Sequence, residues 1–327
     1  MEKISVVGGG SFGTTIACLL GEKGYKIRWW VREKELADEI NKTRKNSIYM
    51  PNKEVPKTVT ANHELSGVLN DADIIFMVIP SPFLRETATE AAKHIKRGAI
   101  VVNAAKGIEE GTYKRMSEIL EEVLPKETKI AVLSGPNLAE EIARKIPTAS
   151  VIASADSEVL AKVKVVLETP YFKIYPHDDI IGVEICGAIK NITAIAVGVC
   201  DALGLGDNAK GSIITYGLSE MNHFGKHFGA KQSTFYGLAG VGDLVATCMS
   251  KYSRNRAVGE KIAKGLDFEQ IKKEMHGQIA EGVRTAKAVY DIALKNKIDM
   301  PLTTQVYKVI YEKKDLQKAI KDLIKLI

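Results

Sequence analysis

Apolar residues fall into two regimes along the chain. In the first half they come as short unbroken runs. Lys3–Gly8, Lys26–Val31, Asp73–Ile79, Ala99–Asn103 and Ile130–Leu133 each lack the alternation of a half-exposed strand. Such runs suit parallel strands covered on both faces. Shorter strand signals lie at Thr58–Ala61, Ala149–Ala153 and Phe172–Tyr175. Segments with helical spacing separate them: Ser11–Glu22, Glu33–Lys42, Glu64–Leu69 and Phe83–Lys96. Tyr49-Met50-Pro51 reads as a loop, and Pro80 and Pro82 end the third long run. Strand–helix alternation of this kind predicts an α/β fold with a doubly wound sheet.

After Tyr175 the strand signal stops. Helical stripes follow at Gly211–Phe224, Ala257–Lys264, Phe268–Glu274, Ala286–Lys295, Thr303–Tyr311 and Asp315–Ile327. The first helical stretch, residues 178–203, differs from the rest. It is apolar or small on nearly every face, so it predicts a helix buried all round rather than an amphipathic surface helix. Asp178 or Asp179 can start it, and Gly204 and Gly206 can end it. Lys190 and Asn191 sit near its middle. A lysine there costs several kcal/mol or so unless a partner or a reaction requires it. The expected organisation is an N-terminal sheet domain over residues 1–177 and an all-α domain over residues 178–327.

Composition narrows the function classes. A chain of 327 residues has room for about two domains with large cores. The formal charge of +6 is mild, and both signs interleave, so no nucleic-acid-binding face is expected. Cys18, Cys186, Cys200 and Cys248 show no CxxC or zinc spacing and read as reduced core thiols, as in a reducing cytoplasm. His223 and His227 stand four apart, but nothing completes a metal site around them, and none is expected. The triple glycine near the N-terminus breaks any signal-peptide core, and Lys190 interrupts the best membrane-span candidate, so no membrane insertion is expected.

The strongest local motif is Gly8-Gly9-Gly10-Ser11-Phe12-Gly13, a G-x-G-x-x-G between the first strand and the first helix. Gly8 permits the tight turn, Gly10 the close approach of a pyrophosphate, and Gly13 the packing of helix on strand. The free N–H groups of the helix start then face the phosphates. This is the signature of a Rossmann-type dinucleotide domain. At the end of the second strand, where NAD enzymes carry Asp or Glu, stands Arg32. An arginine there suits a 2′-phosphate, so the pattern leans to NADPH within an NAD(P)H requirement.

Other candidates lie where strands end or helices begin. Lys106 follows the strand Ala99–Asn103, and Gly135 and Asn137 follow Ile130–Leu133, with Ala139 in the next helix. Ligands in such sheets bind outside the carboxyl ends of the strands. Lys190 fits a general acid–base role, with Asn191 to orient a substrate hydroxyl. Asp243, the sole charge of GLAGVGDL, can pair with Lys190 or cap a helix. Ser253-Arg254-Asn255-Arg256 opens a helix with a natural N-cap and a cation, the makings of a phosphate site.

GGGSFGTT, AAKGIE with Lys106, SGPNLAEEI, GAIKN with Lys190, GLAGVGDL with Asp243, SRNR and AEG with Glu281 occur in this order. Together they resemble the bacterial NAD(P)-dependent glycerol-3-phosphate dehydrogenase family over nearly the whole chain. The resemblance implies NAD(P)H-dependent reduction of dihydroxyacetone phosphate to sn-glycerol 3-phosphate, feeding phospholipid synthesis in the cytoplasm. It implies cofactor contacts at Ser11, Phe12, Arg32, Tyr49, Lys106, Ala139, Arg254, Ile279 and Glu281. For the three-carbon phosphorylated substrate it implies Lys106, Gly135, Asn137, Lys190, Asp243, Ser253, Arg254 and Asn255, with Lys190 the proton donor or acceptor. A homodimer follows by family analogy alone. Three places depart from the family pattern: Phe12 for a tryptophan, Asn137 for Ser or Thr, and Tyr49-Met50-Pro51-Asn52 for a YLPG-like loop. The alternatives are another two-domain dehydrogenase of the hydroxyacid or 6-phosphogluconate kind, and a non-catalytic NAD(P)-binding sensor. SRNR and GLAGVGDL argue against the first. The second gives no reason to keep Lys190, Asp243 and Arg254 together.

Overall fold

A computed structural model describes residues 2–275 and 280–325. Its strands, in chain order, are β1 (Ile4–Val7), β2 (Ile27–Trp30), β3 (Lys45–Asn46), β4 (Met50–Glu54), β5 (Val59–Asn62), β6 (Ile74–Met77), β7 (Ile100–Asn103), β8 (Lys129–Ser134), β9 (Thr148–Ala153) and β10 (Phe172–His177). Eight of them form one sheet in the order β10-β9-β8-β7-β6-β1-β2-β5. All neighbours are parallel except β8 and β9. The chain winds outward from β1 through β2 to β5, then returns to β6 on the other side of β1. That reversal puts the switch point beside the glycine loop.

The central strands divide their side chains with period two between the two faces. Ile4, Val6, Ile74, Phe76, Ile100 and Val102 join one apolar cluster. Val7, Ile75, Met77 and Val101 join the other. Both faces are dry, which is why these strands read as unbroken apolar runs. Helix Ser11–Glu22 has the bounds expected from the sequence.

Three differences from the expected elements have local causes. Met50-Pro51 starts strand β4, which pairs antiparallel with β3 in a two-stranded ribbon. Its Pro51 is tolerated because the ribbon is all edge. The ribbon is anchored by Asn46, whose Nδ2 donates to Gly9 O and Thr14 Oγ1. Helices Met116–Val123 and Ser157–Leu167 cover the sheet where no helix was expected. The second is started by Asp156, which accepts from Glu158 N and Val159 N. Finally, the helix expected at Ala286–Lys295 begins five residues earlier, at Glu281.

The described residues form two compact units. One comprises those up to Ala105 together with Met116–Ile180; the other comprises Lys106–Arg115 together with those from Ile181 onward. The second unit is built around helix Ile180–Ala202, every residue of which from Gly182 to Gly198 is buried. Among the described residues this is the one helix long and apolar enough to cross a membrane. It passes on length and mean hydropathy even with Lys190 inside it. What speaks against a span is burial: 89% of its most apolar window lies inside the protein.

Helix Arg254–Ala263 crosses this core helix at two glycines. A Cβ on Gly198 would lie 2.0 Å from Arg256 O, and one on Gly259 would lie 1.9 Å from Ile195 O. Backbone meets backbone there, so neither side can yield by turning a side chain. Gly259→Ala should therefore lower the unfolding free energy by about 1–3 kcal/mol. Urea denaturation at constant m would report it, and an unchanged midpoint would show slack at the crossing.

Candidate active site

The glycine loop has the shape a dinucleotide needs. Gly8 has φ +127°, and a Cβ on it would lie 2.1 Å from Val78 O. One on Gly13 would lie 2.0 Å from Gly8 O, so helix and loop touch directly. Gly10 differs: a Cβ there meets nothing within 4 Å. The space over Gly10 is open, and Gly10 is also the N-cap of helix Ser11–Glu22, with no side chain capping its N–H groups. A pyrophosphate fits this cradle of open space and unfilled donors.

Several expected cofactor residues gather at this loop. Ser11 Oγ donates to Tyr49 O at 3.1 Å, and Thr15 Oγ1 donates to Ala139 O at 3.2 Å. Phe12 packs, partly buried, against the apolar cluster. Arg32 stands just past β2, exposed, with its guanidinium on Glu33 Oε1 at 2.6 Å. Gly135, with φ +109°, and Asn137 follow β8. Ile279 lies outside the described residues.

In the helical unit the expected charged residues converge. Lys190 Nζ donates to Asp243 Oδ1 at 2.6 Å, and Lys106 Nζ donates to Asp243 Oδ2 at 2.8 Å. The pairing of Lys190 with Asp243 anticipated from their residue types is thus formed. Both are nearly inaccessible, at 6% and 2% exposure. Asp243 gets there through a wide turn. Leu238–Gly242 forms a single π-turn, closed by Gly242 N donating to Gly237 O. A Cβ on Gly240 would lie 2.0 Å from Phe235 O. Asp243 then opens helix Asp243–Met249.

One direct neighbour of Lys190 was missed. Thr247 Oγ1 accepts from Lys190 Nζ at 2.6 Å and stands 3.2 Å from Asp243 Oδ1, to which it donates. Asp243 and Thr247 are four apart on one helix face, so the helix that Asp243 was expected either to cap or to leave for Lys190 places Thr247 beside both.

Burial and charge act against each other here. Burial pushes the Lys190 ammonium down to a pKa of about 8; Asp243 opposes this and Lys106 adds to it. Burial also works against the Asp243 carboxylate, but Lys106 and Lys190 outweigh it and hold the pKa below the usual value. The nearby Cys248 thiol is pushed up to about 12 by burial, which leaves it inert. All four cysteines are free and buried. Among the described residues no cluster of three His, Cys, Asp or Glu side chains is placed to hold a metal.

The SRNR segment sorts into distinct roles. Ser253 caps its helix, accepting from Arg256 N. Arg256 is engaged by Asp201 at 2.8 Å and Glu260 at 3.1 Å. Arg254 is exposed and, among the described residues, makes no ion pair. Asn255 faces inward: its Nδ2 donates to Asn191 Oδ1 and its Oδ1 accepts from Gly282 N, both at 2.9 Å. Asn191 also donates to Gly187 O at 3.3 Å. The Asn191 side chain is thus fixed on both its oxygen and its nitrogen within the protein. Glu281 opens the helix whose Gly282 this amide chain holds.

Comparison with known proteins identifies the family. The family profiles described as NAD-dependent glycerol-3-phosphate dehydrogenase N-terminus and C-terminus match residues 3–160 and 179–321. A relative from Geobacter metallireducens named glycerol-3-phosphate dehydrogenase [NAD(P)+] is 43% identical, over 99% of this chain and 97% of its own length. One of the same name from Chlorobium limicola is 44% identical, over 98% and 97%. The crystal structure of glycerol-3-phosphate dehydrogenase from Coxiella burnetii superposes with a TM-score of 0.95 at 38% identity, covering 99% of this chain and 98% of that one. This chain belongs to the NAD-dependent glycerol-3-phosphate dehydrogenase family.

Proposed function

We propose that the chain is an NAD(P)H-dependent oxidoreductase that interconverts dihydroxyacetone phosphate and sn-glycerol 3-phosphate. Residues 1–177 would bind the dinucleotide and residues 178–327 the substrate, with Lys106 serving both. The observation that carries the reading is the state of Lys190. An ammonium has three N–H donors. Among the described residues Asp243 and Thr247 take two, which leaves one for a substrate oxygen.

Bound cofactor supplies the hydride that the carbonyl carbon accepts. The residues of the chain do the rest. Gly8, Gly10, Ser11 and Gly13 shape the cradle for the pyrophosphate. Asp243 holds the Lys190 ammonium in place, and Lys106 beside it adds a second positive charge for an anionic substrate. The third N–H of Lys190 delivers a proton to the carbonyl oxygen as negative charge grows there. Arg254, at the start of its helix, anchors the substrate phosphate through its guanidinium and the neighbouring N–H groups. Arg32 receives the 2′-phosphate of NADPH. Its exposed pair with Glu33 is worth about 0–1 kcal/mol, so a phosphate displaces it at small cost.

The first test follows cofactor absorbance with dihydroxyacetone phosphate and either NADH or NADPH; no oxidation of either sinks the reading. Lys190→Ala should cut kcat by roughly 10²–10⁴-fold with cofactor affinity little changed. Full activity would remove Lys190 from the mechanism. The pH profile has a defined sign. Reduction needs the protonated amine, so it should fall as pH rises through about 8, while the reverse oxidation rises over the same range. Asp243→Asn removes the charge that favours the ammonium, and should move the alkaline limb to lower pH. Arg254→Ala should raise KM for the substrate by roughly tenfold or more, since a charge-assisted contact is worth about 1.5–3 kcal/mol; an unaltered KM rejects the anchor. Arg32→Ala should weaken NADPH binding more than NADH binding, as isothermal titration would show.

A further inference from the structure

Lys106–Arg115 is an excursion. The chain on either side belongs to the sheet unit, but these ten residues pack with the helical unit. They form a small hairpin. Ile108 and Arg115 pair antiparallel, Glu109 N donates to Lys114 O at 2.9 Å, and Gly111 and Tyr113 turn with φ +85° and +61°. Both ends of the hairpin are charged and both are tied down. Lys106 ends on Asp243 at 2.8 Å, and Arg115 NH1 donates to Glu184 Oε2 at 2.6 Å. Glu184 lies on the core helix six residues before Lys190, with a side chain only 3% exposed. A hairpin tip contact, Arg284 to Glu110 at 3.8 Å, is half-exposed and contributes little. The buried pair at the far end is the strong hold.

We propose that Lys106–Arg115 is a strap locked to the core helix by Arg115 and Glu184, and that this pair is a positioning element for Lys106. Glu184 has no evident part in the chemistry, yet a carboxylate on an apolar helix is costly unless its partner is worth holding. What it holds is the return end of the segment that starts with Lys106. Two fixed points on one unit set where the Lys106 ammonium stands. Lys106 in turn helps to depress the Lys190 pKa, which burial lowers first and Asp243 and Glu281 oppose. The consequence for turnover rests on the function proposed above; the mechanical claim does not.

The experiment separates the two. Removing one partner alone strands a buried charge, so the test protein is the double variant Arg115→Met/Glu184→Gln, with Arg115→Lys as the conservative control. The reactivity of Lys106 is read by limited reductive methylation and mass spectrometry, which needs no activity. The double variant should methylate Lys106 several-fold faster than wild type, with Arg115→Lys in between. In wild type that turns over dihydroxyacetone phosphate, the double variant should lose roughly 10²-fold in kcat/KM at an unaltered melting temperature. Its alkaline limb should move to higher pH, because the Lys106 charge has left Lys190. An unchanged Lys106 reactivity overturns the strap whatever the activity. An inactive wild type overturns the function and leaves the methylation result to decide the strap. A melting temperature that falls, with Lys106 reactivity and the pH limb as in wild type, would assign the pair to stability alone.

Discussion

One buried carboxylate ties together two lysines of the helical unit. Asp243 is shared between Lys190 and Lys106, one oxygen to each. Two ammonium groups share this carboxylate in a place where water is scarce, and the Glu281 charge also favours the Lys190 ammonium. The same competition fixes the proton affinity of Lys190. Burial favours the neutral amine, and Asp243 favours the ammonium. Their balance, about 8, keeps the amine mostly protonated at pH 7.

The frame around this carboxylate relies on backbone more than on side-chain packing. The helix that carries Arg254 is fixed against the core helix by glycine contacts at Gly198 and Gly259. A chain of amides, Asn191 to Asn255 to the N–H of Gly282, then sets the start of the helix that begins at Glu281. Polar groups buried in this way must all be satisfied, and here each link satisfies the next. The result is a buried lysine, an exposed arginine and a helix start held in register by short, stiff connections.

Much of this was legible in the sequence. Unbroken apolar runs gave the central strands because both faces of the sheet are covered. The glycine motif located the cradle because its spacing is a steric requirement. The oddity of a lysine in an apolar helix pointed to Lys190, and the lone acid of GLAGVGDL to its partner. The misses have physical reasons. Helices Met116–Val123 and Ser157–Leu167 are short and lie on a sheet, where tertiary contact decides more than pattern. Strand β4 contains a proline that only an edge allows. The inward turn of Asn191 and Asn255 depends on a partner more than sixty residues away. Thr247 was invisible because its helix begins inside a glycine-rich stretch that carries no helical pattern.

That stretch has a further consequence. The π-turn at Leu238–Gly242 holds one more residue than an ordinary helical turn, and Asp243 follows it immediately. A residue in a helix is worth about 100° of rotation. Deleting a single glycine here would alter neither charge nor hydropathy, yet it would swing Asp243 and Thr247 together away from Lys190. In this part of the chain, length matters to the Lys190–Asp243–Thr247 cluster as much as residue identity does, and insertions and deletions should be far less tolerated than substitutions of comparable size.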